Sequence, residues 1–254
     1  MYTTIPYCFN KNELIGSFAN SKSFYNWVGT KVKNKQVKTV RNGLYVSLDS
    51  MGNIHASKFE IACKITNDAF IIYHSALEYY GLATQVFNNV MVGCKNKVSG
   101  FDFDGVSYEP RIVKEQIQIE FNQLSNVRVS SLERTIIDCI NNIDLAGGIE
   151  EVLGALEQVS YLDENKLIEV LNVYKKVLLF QKVGYIFEQY NDTLMLSNSF
   201  FEYCKSKLTN QVKYFLSDNY KNTAYDSKWK LMAPTNLKSI INGGLWWLYL
   251  NKDL

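Results

Sequence analysis

The chain has 254 residues, 47% hydrophobic and 20% charged, enough to bury a real core as one large domain or two modest ones. This is the composition of a soluble globular protein, and with three prolines it excludes rigid proline-rich linkers. The net charge of +2 hides an asymmetry: residues 1–50 hold seven basic and two acidic residues, a net of +5, so the other 204 total −3.

The N-terminus, MYTTIPYCFN, has no charged region followed by an apolar core and does not read as a signal peptide. In NELIGSF, Asn10 or Asn12 can cap a short helix on which Leu14, Ile15 and Phe18 share a face. Ala19-Asn20 makes a turn. Ser21 is then expected to cap a second helix through Lys33, with Phe24, Trp27, Val28 and Val32 inward and Asn34 as a left-handed stop. In QVKTVRNGLYVSL, Asn42-Gly43 predicts a tight hairpin with positive φ at both central positions.

Between Leu14 and Leu48 there are six cations and no anion. Such segregation points to an anionic partner, nucleic acid being the commonest. Two helices followed by a basic hairpin describe a winged helix-turn-helix, in which the second helix enters the major groove of DNA. The competing reading is a small α+β element whose helix merely packs on a sheet.

After the turn-rich joint at Asp49–Asn53 the pattern changes, so domains are expected at 1–50 and 51–254. HASKFEIACKI reads as a helix carrying Ile61 and Ile65. FIIYHSALEYYGL starts as a buried strand and becomes a helix capped by Ser75, with Glu78 completing a capping box and Gly81 closing it. Short β-like runs fill 88–129. From Ser131 the period is helical in four segments, with Ser131, Gly147 or Gly148, and Asp163 near helix starts. One more helix from Asn198, the runs VKYFLS and WKLMAP, and the aromatic tail GGLWWLYL complete the chain. Gly243–Leu250 is too short to span a bilayer, and Trp246-Trp247 reads as core.

The motifs for chemistry are thin. The five cysteines lie tens of residues apart, with no zinc spacing, and read as reduced, buried thiols of a cytoplasmic protein. His74-Ser75 point in different directions at a helix start, which makes a nucleophile–base pair a poor reading. Asp102, Asp104, Glu109 and Glu120 lie in the β-rich part, but Glu120-Phe121-Asn122 lacks the lysine that a metal-dependent nuclease would place there. No phosphate-cradling glycine motif follows a strand. Ser131-Leu132-Glu133-Arg134-Thr135 reads as a cap followed by a surface charge pair.

Three stretches together carry a family resemblance. Val40-Arg41-Asn42-Gly43-Leu44-Tyr45 matches an R-x-G-L-Y hairpin. Tyr73-His74-Ser75-Ala76-Leu77-Glu78-Tyr79-Tyr80-Gly81-Leu82 matches an "hSAL-x-x-x-GL" helix. Ser130 to Cys139, followed by Asp144-Leu145-Ala146-Gly147-Gly148, matches an "S-x-E-[KR]-T-hh-D…GG" helix pair. In this order they resemble the AbiEi-type antitoxins of type IV toxin–antitoxin systems, which act in abortive infection, a form of phage defence.

The resemblance implies an α+β fold: a winged helix-turn-helix over 1–50 and a mixed antitoxin domain over 51–254, a small sheet flanked by helices. It implies a bacterial autorepressor binding inverted repeats of double-stranded DNA upstream of its own operon. It further implies an antitoxin counteracting a nucleotidyltransferase-like toxin, in many such systems without a stable complex. No catalytic residue, metal or cofactor is expected, and no membrane partner. From the residues themselves, Lys22, Lys31, Lys33, Lys35, Lys38 and Arg41 are the candidate phosphate or groove contacts, with Asn42 at the hairpin turn. Ser23, Tyr25 and Asn26 are the candidates for base edges. Only Met1–Asn10 precede Lys11, so the helix usual before such a pair would be replaced by an extended segment or lost. The rivals are an interaction protein gripping an acidic toxin surface and a divergent nuclease using Asp102 or Glu120.

Overall fold

The computed structural model describes residues 5–216, 223–238 and 240. Gly243–Leu250, with Trp246-Trp247, lies outside them. The chain is α+β and divides into two compact units, one of residues 1–75 and 87–130, the other of 76–86 and 131–254. Residues 1–50 thus share a unit with the strands up to Ser130.

The first unit opens with β1 (Cys8–Asn10), so the segment before the first helix is extended. Asn10 then caps α1 (Lys11–Leu14) in a capping box with Glu13. A 3-10 turn, Ile15–Ser17, leads to α2 (Ser21–Lys33). Its cap is Asn20, whose side chain accepts from the Ser23 N–H at 2.9 Å, one residue before the expected Ser21. The left-handed stop falls at Lys35 (φ 54°), not Asn34. Phe9, Leu14, Phe24, Val28, Val37 and Tyr45 form the local core, with Ile15, Phe18 and Trp27 packed against it. Val32, expected inward, is 39% exposed: the helix runs past the end of that core.

Strands β2 (Val37–Arg41) and β3 (Leu44–Ser47) form the hairpin, and β1 pairs with β3 in the order β1-β3-β2. Val37 and Val40 are both buried though three residues apart, which strict alternation forbids. A bulge resolves this: Thr39 pairs with Tyr45 and Arg41 with Leu44, leaving Val40 as the extra residue. At the turn Gly43 alone is left-handed (φ 80°), because the bulge supplies twist that a mirror-image turn would otherwise provide.

The rest of this unit is a six-stranded mixed sheet with a helix on it. After α3 (Lys58–Cys63) come β4 (Phe70–Ile71), β5 (Asn89–Cys94), β6 (Phe101–Phe103), β7 (Val106–Ile112), β8 (Ile119–Asn122) and β9 (Val127–Ser130), while α4 (Tyr73–Tyr79), between β4 and β5, belongs to the second unit from Ala76 on. The strand order is β6-β7-β5-β4-β9-β8, and α3 packs on β4, β5 and β9. The orphan carbonyls beyond α3 are met by Arg128 of β9, whose guanidinium donates to Cys63 O at 3.1 Å and Thr66 O at 3.3 Å. Ser75 is not a cap. Helix α4 already starts at Tyr73 (φ 53°), and the buried Ser75 hydroxyl accepts from the Met91 N–H at 2.9 Å. Gly81 (φ 73°) ends that helix, with the Leu82 N–H bonded back to Leu77 O.

The second unit is built on α5 (Leu132–Asn141), which packs against α6 (Ile149–Gln158), α7 (Glu164–Tyr174) and α8 (Val177–Gln189). Ser131 caps α5, Gly148 stands at the start of α6, and Asp163 caps α7. Short α9 (Asn191–Leu194) precedes α10 (Asn198–Ser206), and β10 (Lys213–Tyr214), β11 (Thr223–Asp226) and β12 (Leu231–Pro234) form a sheet in the order β10-β12-β11. Glu133-Arg134 is not a surface charge pair. Both side chains are buried, because the face of α5 that carries them is covered by neighbouring helices. Arg134 pairs with Asp138 at 3.3 Å, Asp138 accepts from the Tyr174 hydroxyl, and Glu133 accepts from the Asp163 N–H at 3.1 Å. Glu151, next to Gly147-Gly148 in sequence, is also buried. It accepts from the backbone N–H groups of Thr84 (2.7 Å) and Gln85 (3.2 Å), pinning that loop.

Candidate functional site

Helix α2 presents an exposed polar face that carries cations. At about 100° per residue, Lys22, Tyr25, Asn26, Gly29, Thr30 and Lys33 fall on one side, opposite buried Phe24 and Val28. All six are exposed, and a Cβ at Gly29 would meet nothing within 4 Å, so a ligand can approach the helix closely there. Tyr25 is 43% exposed, its ring edge on Phe24 and the Lys11 ammonium 5.4 Å from its centroid. Lys22, Lys33 and Lys35 form no ion pair among the described residues. The face therefore combines cations, an aromatic ring and an amide, without a carboxylate in the helix. Such a surface can bind phosphates and meet base edges.

Other expected contacts are committed within the protein. Ser23 is half-buried, and its hydroxyl and N–H both bond to Asn20 Oδ1. Lys31 donates to Gln36 Oε1 at 3.1 Å. Lys38 on β2 pairs with Asp104 at 2.9 Å and lies 4.9 Å from the Phe103 ring centroid. Arg41 stacks on Phe101 at 5.1 Å and donates to Ser99 O at 3.3 Å. Asn42 is exposed at the turn. The structure thus brings Lys22, Tyr25, Asn26 and Lys33 together on one face and leaves Lys38 and Arg41 against β6.

The sequence reading missed Asp104, Phe101 and Phe103 as partners of the basic hairpin. Asp104-Gly105 is itself a hairpin signal, and both residues are left-handed (φ 53° and 77°), the conformation expected at Asn42-Gly43. Its pairing with Lys38, far away in sequence, has no local signature.

No protein-family model matches the chain, and no curated protein matches it. Among solved structures the chain is similar to the crystal structure of the RV2827C protein from Mycobacterium tuberculosis, with a TM-score of 0.64 at 10% identity, over 93% of this chain and 90% of that one. The likeness is one of fold.

The carboxylates of the nuclease reading do not converge. Asp102 is on β6 and Glu120 on β8, the two edges of the six-stranded sheet, five strand spacings or about 24 Å apart. Two carboxylates so far apart cannot share a metal ion. Among the described residues no cluster of three His, Cys, Asp or Glu could hold one. His74 and Ser75 also part company, the ring packing on Phe87 at 4.2 Å while the hydroxyl serves Met91. Among the described residues no helix is long and apolar enough to cross a membrane.

Proposed function

We propose that this chain is a cytoplasmic, DNA-binding autorepressor of an AbiEi-type, type IV toxin–antitoxin operon, and the antitoxin of its nucleotidyltransferase-like toxin. The observation that carries the DNA part is the exposed, carboxylate-free face of α2 with Lys22, Tyr25, Asn26 and Lys33. The arrangement β1-β3-β2 beside α2 supports reading residues 5–50 as a winged helix with α2 as the groove helix. The antitoxin part rests on the ordered motifs alone: their helices α4, α5 and α6 serve as framework, with Ser75, Arg134 and Glu151 in buried roles. No catalytic step of its own belongs to this reading.

The test is binding of the full chain to a duplex spanning the region upstream of its own gene, measured across a salt series. If α2 lies on the phosphates, log affinity falls with log salt by about 0.9 per phosphate neutralised, and the K22A/K33A variant loses about 1.8 from that slope. Replacing Asn26 by Ala should cost about tenfold for the upstream duplex and little for a random one. Equal affinity of the unmodified chain for both duplexes would sink the repressor, and capture of the neighbouring gene product without any DNA binding would favour the toxin-gripping rival.

A further inference from the structure

The hairpin β6–β7 reaches the basic hairpin at its two cations. At its tip Asp104 and Gly105 both adopt left-handed φ, and this mirror-image turn holds the Asp104 carboxylate 2.9 Å from Lys38 Nζ. Two rings of β6 serve the same pair of side chains: Phe103 lies under Lys38 and Phe101 under Arg41. Phe101 is itself stacked on Tyr108 of β7, centroids 4.8 Å apart at 7°. All of these residues belong to the first unit.

The pair is not sealed. Lys38 and Asp104 side chains are 47% and 54% exposed, so water and salt reach both, and another anion can compete for the ammonium. A DNA phosphate carries the same charge as the carboxylate and would meet Lys38 only by displacing it or by sharing the ammonium. The carboxylate at the hairpin tip would also repel any phosphate that approaches Lys38.

We propose that Asp104 is an autoinhibitory phosphate mimic. The β6–β7 hairpin occupies the cations of β2, lowers the intrinsic affinity for DNA, and releases Lys38 when a phosphate replaces the carboxylate. The proposal rests on the DNA-binding reading above and adds to it a residue, outside the α2 face, that sets how tightly the operator is held.

The experiment compares the full chain with Asp104→Asn, Lys38→Ala and the double variant on the upstream duplex across salt. Asn tolerates the left-handed turn and keeps the shape of Asp, so the hairpin folds; thermal melts check this. D104N should bind about three- to fivefold tighter, because no internal ion pair has to break before Lys38 meets a phosphate. In the K38A background the same change should give less than half that gain. Unchanged affinity of D104N overturns the proposal, as does an equal gain with and without Lys38, which would mark a general charge effect. Binding by D104N where the unmodified chain binds nothing supports it. Failure of both to bind at low salt refutes the DNA reading itself, and the autoinhibition with it.

Discussion

Arg134 and Asp138 face each other one turn apart on α5, Nε 3.3 Å from Oδ2, with side chains 0% and 5% exposed. The Tyr174 hydroxyl closes on the other Asp138 oxygen. A buried pair of this kind gains little over apolar packing, but removing one partner takes away a charge-assisted contact inside the core. Arg134→Ala and Asp138→Ala should each destabilise by about 3–5 kcal/mol in urea melts, while R134M/D138L loses less than either single change. If the single variants melt like the parent protein, the pair is not the anchor of α5.

All five cysteines are free and buried. Burial pushes Cys8 and Cys204 up to about 12 and Cys63 to about 11, against an ordinary value of 9.0; Cys94 and Cys139 are raised for the same reason. The folded state thus favours the neutral thiol more than the unfolded chain does. The stability this contributes is fully present below about pH 9 and is lost as pH rises toward 12. Ellman's reagent at pH 8 should therefore find almost no reactive thiol in the native protein and five in urea. Rapid native labelling of even one would contradict the packing.

Gly184 on α8 lies against Trp229, and a Cβ there would fall on the six-membered ring. The indole cannot easily withdraw, since its N–H donates to Glu188 Oε2 at 2.9 Å and the whole side chain is buried. Gly184→Ala should cost about 1–3 kcal/mol by overpacking. Combining it with Trp229→Phe, which opens space at the same spot, should cost less than the sum of the two. Strict additivity would show that the two residues do not share the contact.

Much of the local structure was legible in the sequence because its causes are local. The helix over Ser21–Lys33, the strands from Asn89 to Ser130 and the caps at Ser131 and Asp163 follow from period, turn residues and side-chain acceptors a few residues away. Errors arose where a distant partner chose between local options. Ser75 could have capped a helix, but the Met91 N–H of β5 takes its hydroxyl. Asn42-Gly43 could have formed a mirror-image turn, but with the bulge at Val40, set by pairing with β3, Gly43 alone is left-handed. Glu133-Arg134 has the sequence of a surface pair and becomes buried only because α6, α7 and α8 pack around α5.

The same division runs through the candidate site. By itself the sequence determined a cationic segment free of anions from Leu14 to Leu48, and the helical period that sets Lys22, Tyr25, Asn26 and Lys33 on one side of α2. Charge and periodicity are properties of neighbours along the chain. Which of those cations stay available was decided by the tertiary structure alone. Lys38 and Arg41 look like Lys22 and Lys33 in sequence, but sheet pairing carries β6 and Asp104 to them, and a contact between residues 38 and 104 leaves no periodic trace to read.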